Sequence, residues 1–141
     1  MQTEKFRLES LNEENVRYID RQLNEYDLEH IGYSMDGNVS LGLFDEEELI
    51  AGVDASMTAY RILYVSTLFV KESYRGRGIG TRLMNELETR AKKLGANIIR
   101  LDSFSWQGGS FYEKIGYEKV GEYSSEEDGF SEFFYIKRIE S

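Results

Sequence analysis

The chain has 141 residues, a formal net charge of −9 and no cysteine. Its length suits one domain with a single core, and its 40% of apolar residues predicts a folded globule. This composition excludes disulfides, thiolate metal sites and a cysteine nucleophile; it argues against a general nucleic-acid binder, and no apolar run reaches the roughly 18 residues of a membrane span.

The first third of the chain predicts one strand and one helix. Residues 5–8 alternate between polar and apolar side chains, as in a strand. Ser10 and Glu13 have the spacing of a capping box, and one apolar face predicts a helix from there to about Asp27. His30, the only histidine, then falls in a loop, and without a second histidine or a cysteine we expect no metal site. No signal-peptide core is present here, so we expect a cytoplasmic protein.

The middle of the chain predicts a meander of three antiparallel strands, over residues 39–44, 49–57 and 60–70. An acidic turn over 45–48 joins the first two strands. The third strand ends in the apolar and β-branched run 65–70, which is typical of a buried strand.

A glycine-rich turn follows that strand and opens a helix. Residues 75–80 hold three glycines and two arginines, and the spacing of apolar side chains predicts a helix over 79–94. The first N–H groups of a helix lack a partner within it, and the helix dipole makes that end partly positive, so the turn can bind a phosphate. Arg75, Arg77 and Arg82 add charges that suit phosphate oxygens. A plain glycine-rich helix start with exposed arginines is the alternative.

Two well-known phosphate motifs do not fit this turn. The Gly-Lys-Ser/Thr ending of the Walker pattern is absent, and the third glycine position of the dinucleotide fingerprint holds Thr81. The turn therefore predicts a phosphate-containing ligand without naming it.

The last third predicts a strand over 97–104, a short helix over 107–115, and strands over 117–123 and 130–139. Because a strand–helix–strand crossover normally joins parallel strands, the strand at 97–104 should run parallel to the one at 60–70. The predicted fold is mixed α+β: a central mixed, mostly antiparallel sheet of about seven strands with helices on both faces, in one domain over residues 1–141.

The last strand carries four aromatic residues, Phe130, Phe133, Phe134 and Tyr135. They fit either a homodimer formed through the C-terminal strands or the core of one chain. The sequence leaves both open.

Two segments resemble the GNAT superfamily of N-acetyltransferases. Arg75, Gly78 and Gly80 match its pyrophosphate-loop motif, Gln/Arg-x-x-Gly-x-Gly/Ala. Residues 111–117 are similar to its second signature, a short helix reading roughly Phe-Tyr-Glu-Lys-x-Gly-Phe/Tyr. The resemblance covers about residues 38–138 and implies an acyl-CoA N-acyltransferase-like fold with acetyl-CoA (coenzyme A) as cofactor.

The resemblance also implies which residues contact the cofactor. In this family two parallel strands splay apart and the pantetheine arm enters the gap, so Leu68 and Val70 would offer it backbone groups. The loop N–H groups would bind the pyrophosphate. The residues implied in cofactor binding are Leu68, Phe69, Val70, Arg75, Gly76, Arg77, Gly78, Ile79, Gly80, Thr81 and Tyr112.

The implied reaction is direct attack of an amine on the thioester within a ternary complex. The amine must be neutral, although its free pKa is near ~10, and the oxyanion needs a donor such as a backbone N–H near Val70. Tyr112 occupies the position of the family's general acid for the leaving thiolate; packing or a hydrogen bond to the sulfur is the alternative. Asp102 is preferred to Asp54 as general base, with a structural hydrogen bond as the alternative and water as another proton carrier.

Residues 102–117 most resemble a branch of small bacterial N-acetyltransferases with a Phe-x-Phe-Gln-Ala segment, from which Trp106 and Gly108 depart. The substrate of that branch is therefore not carried over, and the expected acceptor is a primary amine of a small molecule or peptide. The alternatives are a non-catalytic acyl-CoA-binding or interaction module on the same fold, and a binder of another phosphate ligand. No nucleic acid, membrane or metal is expected to take part.

Overall fold

The computed structural model describes residues 5–32 and 36–140, which belong to two compact units divided between residues 34 and 35. The first unit holds one helix, α1 (Glu13–Ile31). Asn12 is its N-cap: the Asn12 side chain accepts from the Asn15 N–H at 2.8 Å, and the Asn15 side chain accepts from the Asn12 N–H. Gly32 ends the helix in the left-handed conformation. A single domain over 1–141 stays a prediction.

The expectations for the capping box, the first strand and His30 were wrong. Asn12 and Asn15 form the capping box, not the predicted Ser10 and Glu13. No strand forms at residues 5–8, because no described strand pairs with that segment and an unpaired strand leaves its backbone groups without partners. His30 lies in the last turn of α1 and not in a loop, with Nδ1 3.0 Å from the Tyr26 carbonyl oxygen. The helix continues past Asp27 because the first residue able to end it with a positive φ is Gly32, at φ +81°.

The second unit is a six-stranded mixed sheet with two helices. Its elements are β1 (Asn38–Asp45), β2 (Glu48–Met57), β3 (Ile62–Val70), α2 (Ile79–Leu94), β4 (Ile98–Phe104), α3 (Gly109–Lys114), β5 (Glu118–Ser125) and β6 (Phe130–Arg138). The strand order is β1-β2-β3-β4-β6-β5. Only the β3–β4 pair is parallel among these strands. The mixed α+β class is confirmed, with six strands because the segment at 5–8 forms none.

The core lies between α2 and one face of the sheet. Leu87 of α2 and Leu63 and Ile99 of the sheet are fully buried, and burial of each such side chain contributes roughly 1.5–3 kcal/mol. The buried residues of α2 are Leu83, Met84, Leu87 and Ala91, all on the predicted apolar face. The spacing of apolar residues therefore identified the helix and the face that it buries.

Helix α3 packs on the same face of the sheet as α2. The ring of Tyr112 in α3 lies 5.6 Å from that of Tyr135 in β6, and Tyr135 pairs with the buried Leu101 of β4. Lys137 of β6 also joins the two helices, because its Nζ donates to Glu88 Oε2 at 2.9 Å and to the Ile115 carbonyl at 3.1 Å.

The C-terminal aromatics divide between the two faces of the sheet. Tyr135 is buried and Phe133 packs against the core. Phe134 alternates to the other face and is 37% exposed. A homodimer through these strands stays a prediction. No helix within residues 5–32 and 36–140 combines the length and apolar content needed to cross a bilayer, and a cytoplasmic location stays a prediction.

Candidate active site

Strands β3 and β4 form a gap at the centre of the sheet. They pair only where residues 62–64 face residues 98–100, although both strands continue. The separation follows a bulge opposite β2, where Asp54 pairs with Thr67 and Ala55 with Val65, so that Ser66 has no partner across the ladder. A bulge bends the strand that carries it, which opens the sheet between residues 65–70 and β4.

The backbone of β3 faces this gap through alternate residues. The Lys71 N–H donates to the Ile50 carbonyl at 2.9 Å, so residues 69 and 71 direct their backbone groups towards β2. Because the direction alternates along a strand, Leu68 and Val70 direct theirs into the gap. Arg75 Nε donates to the Val70 carbonyl at 2.9 Å. That bond leaves the Val70 N–H as the donor available to a ligand.

The gap opens into a cavity of about 730 Å³. Among the residues predicted to contact the cofactor, those that line it are Leu68, Phe69, Val70, Arg75, Gly76, Gly78, Ile79, Gly80, Thr81 and Tyr112. Arg77 does not line it; its guanidinium carbon lies 5.2 Å from the centre of the Tyr74 ring. Arg82 lines a separate groove between α2 and β1.

The loop glycines keep the backbone open towards the cavity. Gly76 and Gly78 have φ values of +78° and +76°, and a Cβ added at either would meet no atom within 4 Å. Glycine is therefore needed there for the left-handed conformation, and the space beside it stays free for a ligand. Gly80 differs, because its Cβ would lie 3.2 Å from the Phe111 ring; it lets α2 and α3 approach closely.

The N-terminus of α2 has no intramolecular cap. No side chain caps it and no acidic residue lies in its first turn, whereas α1 has a capping box and two glutamates there. The first hydrogen bond within α2 runs from the Arg82 N–H to the Gly78 carbonyl at 3.0 Å, so the N–H groups of residues 79–81 precede the helical ladder. Unpaired donors and a positive dipole end therefore face the cavity, which suits an anion.

Tyr112 lies at the other wall of the cavity, where other rings fix its position. Its ring centre is 5.2 Å from Phe111, 5.9 Å from Tyr117 and 5.6 Å from Tyr135. Burial, and secondly the nearby Tyr135, raise the pKa of the Tyr112 hydroxyl. The phenol therefore stays protonated at neutral pH and can donate a hydrogen bond.

Asp102 lies outside the cavity. It follows the buried Leu101 in β4, so its side chain points to the opposite face of the sheet from Tyr112. There its Oδ2 accepts from the Tyr64 hydroxyl at 3.0 Å, and the Arg100 guanidinium carbon lies 4.4 Å from the Tyr64 ring centre. The structure does not bring Asp102 and Tyr112 together, and its role as general base stays a prediction.

Sequence reasoning missed part of the cavity wall. The residues that also line the cavity are Tyr74, Trp106, Gln107, Gly108 and Phe111. The connection between β4 and α3 could have been identified, because Trp106 and Gly108 depart from the resembling branch directly before the second signature. Tyr74 gave no such signal, since its placement depends on a 2.6 Å hydrogen bond to Asp45 in β1, which is distant in sequence.

Comparison with known proteins gives consistent results. A family described as acetyltransferase (GNAT) domain matches residues 7–138. An acetyltransferase of Agrobacterium fabrum is 30% identical over 68% of this chain and 70% of its own length. A crystal structure of an acetyltransferase from Bacillus cereus superposes with a TM-score of 0.88 at 32% identity, covering 96% of this chain and 99% of that one. An aminoglycoside 6'-N-acetyltransferase complexed with coenzyme A shares the fold, with a TM-score of 0.65 at 22% identity over 82% of this chain and 79% of that one.

Proposed function

Because the chain belongs to the GNAT acetyltransferase family, we propose that it transfers an acetyl group from acetyl-CoA to a primary amine of a small molecule or peptide. The observation that carries the proposal is the shared cavity: the uncapped N-terminus of α2, the unpaired edge of β3 and the hydroxyl-bearing Tyr112 all line it. Bound acetyl-CoA would supply the activated acetyl group as a thioester.

The cavity fits the parts of that cofactor. The N–H groups of Gly78 to Thr81 suit its pyrophosphate, since no carboxylate competes in the first turn of α2. The Leu68 backbone and the Val70 N–H suit an amide-bearing arm that completes the open sheet edge. Solved structures of this fold hold coenzyme A or acetyl-CoA, as in the aminoglycoside enzyme above, which supports acetyl-CoA as cofactor.

Arg75 supports the proposal in two ways, through its contacts with β3 and through its charge. Its Nε holds the Val70 carbonyl and its guanidinium carbon lies 5.9 Å from the centre of the Phe69 ring. The arginine thereby fixes the end of β3 against the start of the loop. Its charge remains beside the predicted pyrophosphate position, where it favours an anion.

The attack step needs a donor for the charge that develops on the acyl carbonyl oxygen. The Val70 N–H is the candidate donor, because Val70 directs its backbone groups into the gap and its carbonyl is already paired with Arg75. A backbone donor held by the sheet reorganises little during reaction. The acceptor nitrogen would attack directly in a ternary complex; the lack of cysteine, the thiol that most readily takes an acyl group from a thioester, supports this route.

Tyr112 would protonate or hydrogen-bond the leaving sulfur. Its raised pKa keeps the proton on the phenol, so the donor is present throughout the neutral range. The acceptor ammonium must lose a proton before attack. The proton would pass either to Asp102, on the other face of the sheet, or to water in the open cavity. Either carrier is compatible with the proposal.

The test has two stages. The melting temperature is measured with saturating acetyl-CoA, with ATP and NAD as controls. A ligand at a hundred times its Kd adds about 2.7 kcal/mol, which raises Tm by roughly 8–11 °C in a domain of this size. A shift with acetyl-CoA alone supports the cofactor; a shift with ATP or NAD instead supports another phosphate ligand.

The second stage measures thiol release from acetyl-CoA with a panel of primary amines and matched alcohols. Release with amines and not with alcohols supports N-acetyl transfer. Binding of acetyl-CoA without release from any amine would favour the alternative, a non-catalytic acyl-CoA-binding or interaction module on the same fold.

A further inference from the structure

Trp106 has no role in the reaction outlined above, although it lines the cavity. It is 73% exposed. A single exposed apolar side chain is ordinary in a folded protein. Trp106 lines the same cavity as Leu68 and Tyr112, and its ring packs on other rings; together these two features suggest a more specific role.

The ring of Trp106 is supported from below by other rings. It stacks on Phe104 with planes 6° apart and centres 5.8 Å apart. Phe104 meets Phe130 edge-on at 5.5 Å, and Phe130 meets Tyr123 edge-on at 6.3 Å. We call these four residues the aromatic row. The row spans β4, β5 and β6, so the rings that support the indole come from three strands.

The backbone on both sides of Trp106 is also fixed. The Ser105 N–H donates to the Ser131 carbonyl at 2.8 Å, and Ser105 Oγ accepts from the Ser131 N–H at 3.1 Å. Gln107 exchanges two bonds with Phe104: its N–H donates to the Phe104 carbonyl at 2.8 Å and its Oε1 accepts from the Phe104 N–H at 2.7 Å. An exposed indole held in this way loses little freedom when a ligand covers it, which favours binding.

We propose that Trp106 is the stacking platform for the acceptor, and that the acceptor is an amine with a planar aromatic or heteroaromatic ring. This inference rests on the proposed function. One face of the indole stacks on Phe104, and a ring laid on the other face would continue the parallel stack. The attacking nitrogen must be neutral, so an ion pair with it cannot position the acceptor at the moment of attack. Contacts with the rest of the acceptor must do so.

The first experiment uses Trp106 itself as the reporter, because it is the only tryptophan in the chain. Acrylamide quenching is measured with saturating coenzyme A, which permits no turnover. The probes are 2-phenylethylamine and 2-cyclohexylethylamine, which share the amine and differ in planarity. The aromatic amine should lower the Stern–Volmer constant at least about twofold, since stacking covers the exposed indole, and the saturated amine should leave it nearly unchanged. Equal effects, or none, would overturn the proposal.

The second experiment compares variants by the ratio of kcat/KM for the two amines. Trp106→Leu should reduce the preference for the aromatic amine by roughly three- to tenfold, the range expected for one aromatic pair. Trp106→Phe should retain most of the preference, because the planar surface remains. Phe44→Leu is the matched control, since Phe44 is 63% exposed and does not line the cavity.

Failure of the proposed function is distinguishable from failure of this inference. If no amine releases thiol, the shielding measurement still shows whether a planar amine covers Trp106. If Trp106→Leu raises the Kd of acetyl-CoA and leaves the amine ratio unchanged, the indole belongs to the cofactor site, and the acceptor platform is refuted.

Discussion

Gly78→Ala tests the predicted placement of the phosphate loop. Gly78 has φ +76° and open space at the Cβ position. An alanine there therefore adds a methyl group on the cavity side and about 1 kcal/mol of left-handed strain. The methyl group should displace a phosphate oxygen from its backbone donors. A hydrogen bond to a charged group contributes about 1.5–3 kcal/mol, so the Kd of acetyl-CoA should rise roughly 10- to 150-fold.

Gly129→Ala is the matched control for the strain. Gly129 has φ +70° and equally open space at Cβ, and it does not line the cavity. Both variants should lose about 1 kcal/mol of stability, or about 3–4 °C in Tm. Only Gly78→Ala should weaken acetyl-CoA binding.

Isothermal titration calorimetry on both variants and the parent separates the two effects. The same Kd in all three proteins would refute the assignment of the loop to the pyrophosphate. A raised Kd in both variants would attribute the loss to general strain.

Three further predictions follow from the site and the core. Tyr112→Phe should lower kcat roughly 10²-fold with the Kd of acetyl-CoA changed less than about twofold; unchanged kcat contradicts the acid role. Burial raises the pKa of Tyr112, so the phenol should stay protonated at every pH below its ordinary pKa near ~10. The pH profile of kcat should therefore show no fall near pH 8 that is due to Tyr112. A fall there that disappears in Tyr112→Phe would refute the buried setting of the phenol. Lys137→Met removes the hydrogen bonds to Glu88 and to the Ile115 carbonyl, and Glu88 keeps only a 3.9 Å ion pair with Lys92. The loss should cost about 1–3 kcal/mol in thermal unfolding, while Lys119→Met, at a more exposed ion pair, should cost less than about 1 kcal/mol.

Local pattern predicted most of the sheet and the α2 region. The meander and α2 were recognisable because their apolar residues alternate or recur with the helical period. Gly76, Gly78, Ile79, Gly80 and Thr81, which line the cavity, were identified from the sequence because the chemistry of a helix N-terminus is local. The family, the mixed fold and the parallel pairing of β3 with β4 are confirmed.

The remaining differences come from contacts between distant parts of the chain. Residues 5–8 alternate like a strand, but alternation does not supply a pairing partner. Asp102 was preferred as general base because it lies shortly before Tyr112 in the sequence. Neighbouring residues of a strand point to opposite faces of the sheet, and the Asp102 side chain lies on the face of Tyr64, to which it is hydrogen-bonded. Arg77 was predicted at the phosphate from its charge; its guanidinium carbon lies 5.2 Å from the centre of the Tyr74 ring, and a contact with the cofactor stays a prediction.

The three-residue junction between β3 and β4 has a consequence for how long the protein survives in a cell. It leaves two half-sheets, β1-β2-β3 and β4-β6-β5, with unused hydrogen-bonding groups between them. A ligand that fills this gap contributes bonds that the free protein lacks, so each tenfold rise of its concentration above Kd adds about 1.4 kcal/mol of stability. Since proteases remove the unfolded form, the amount of this protein would then follow the supply of its ligand.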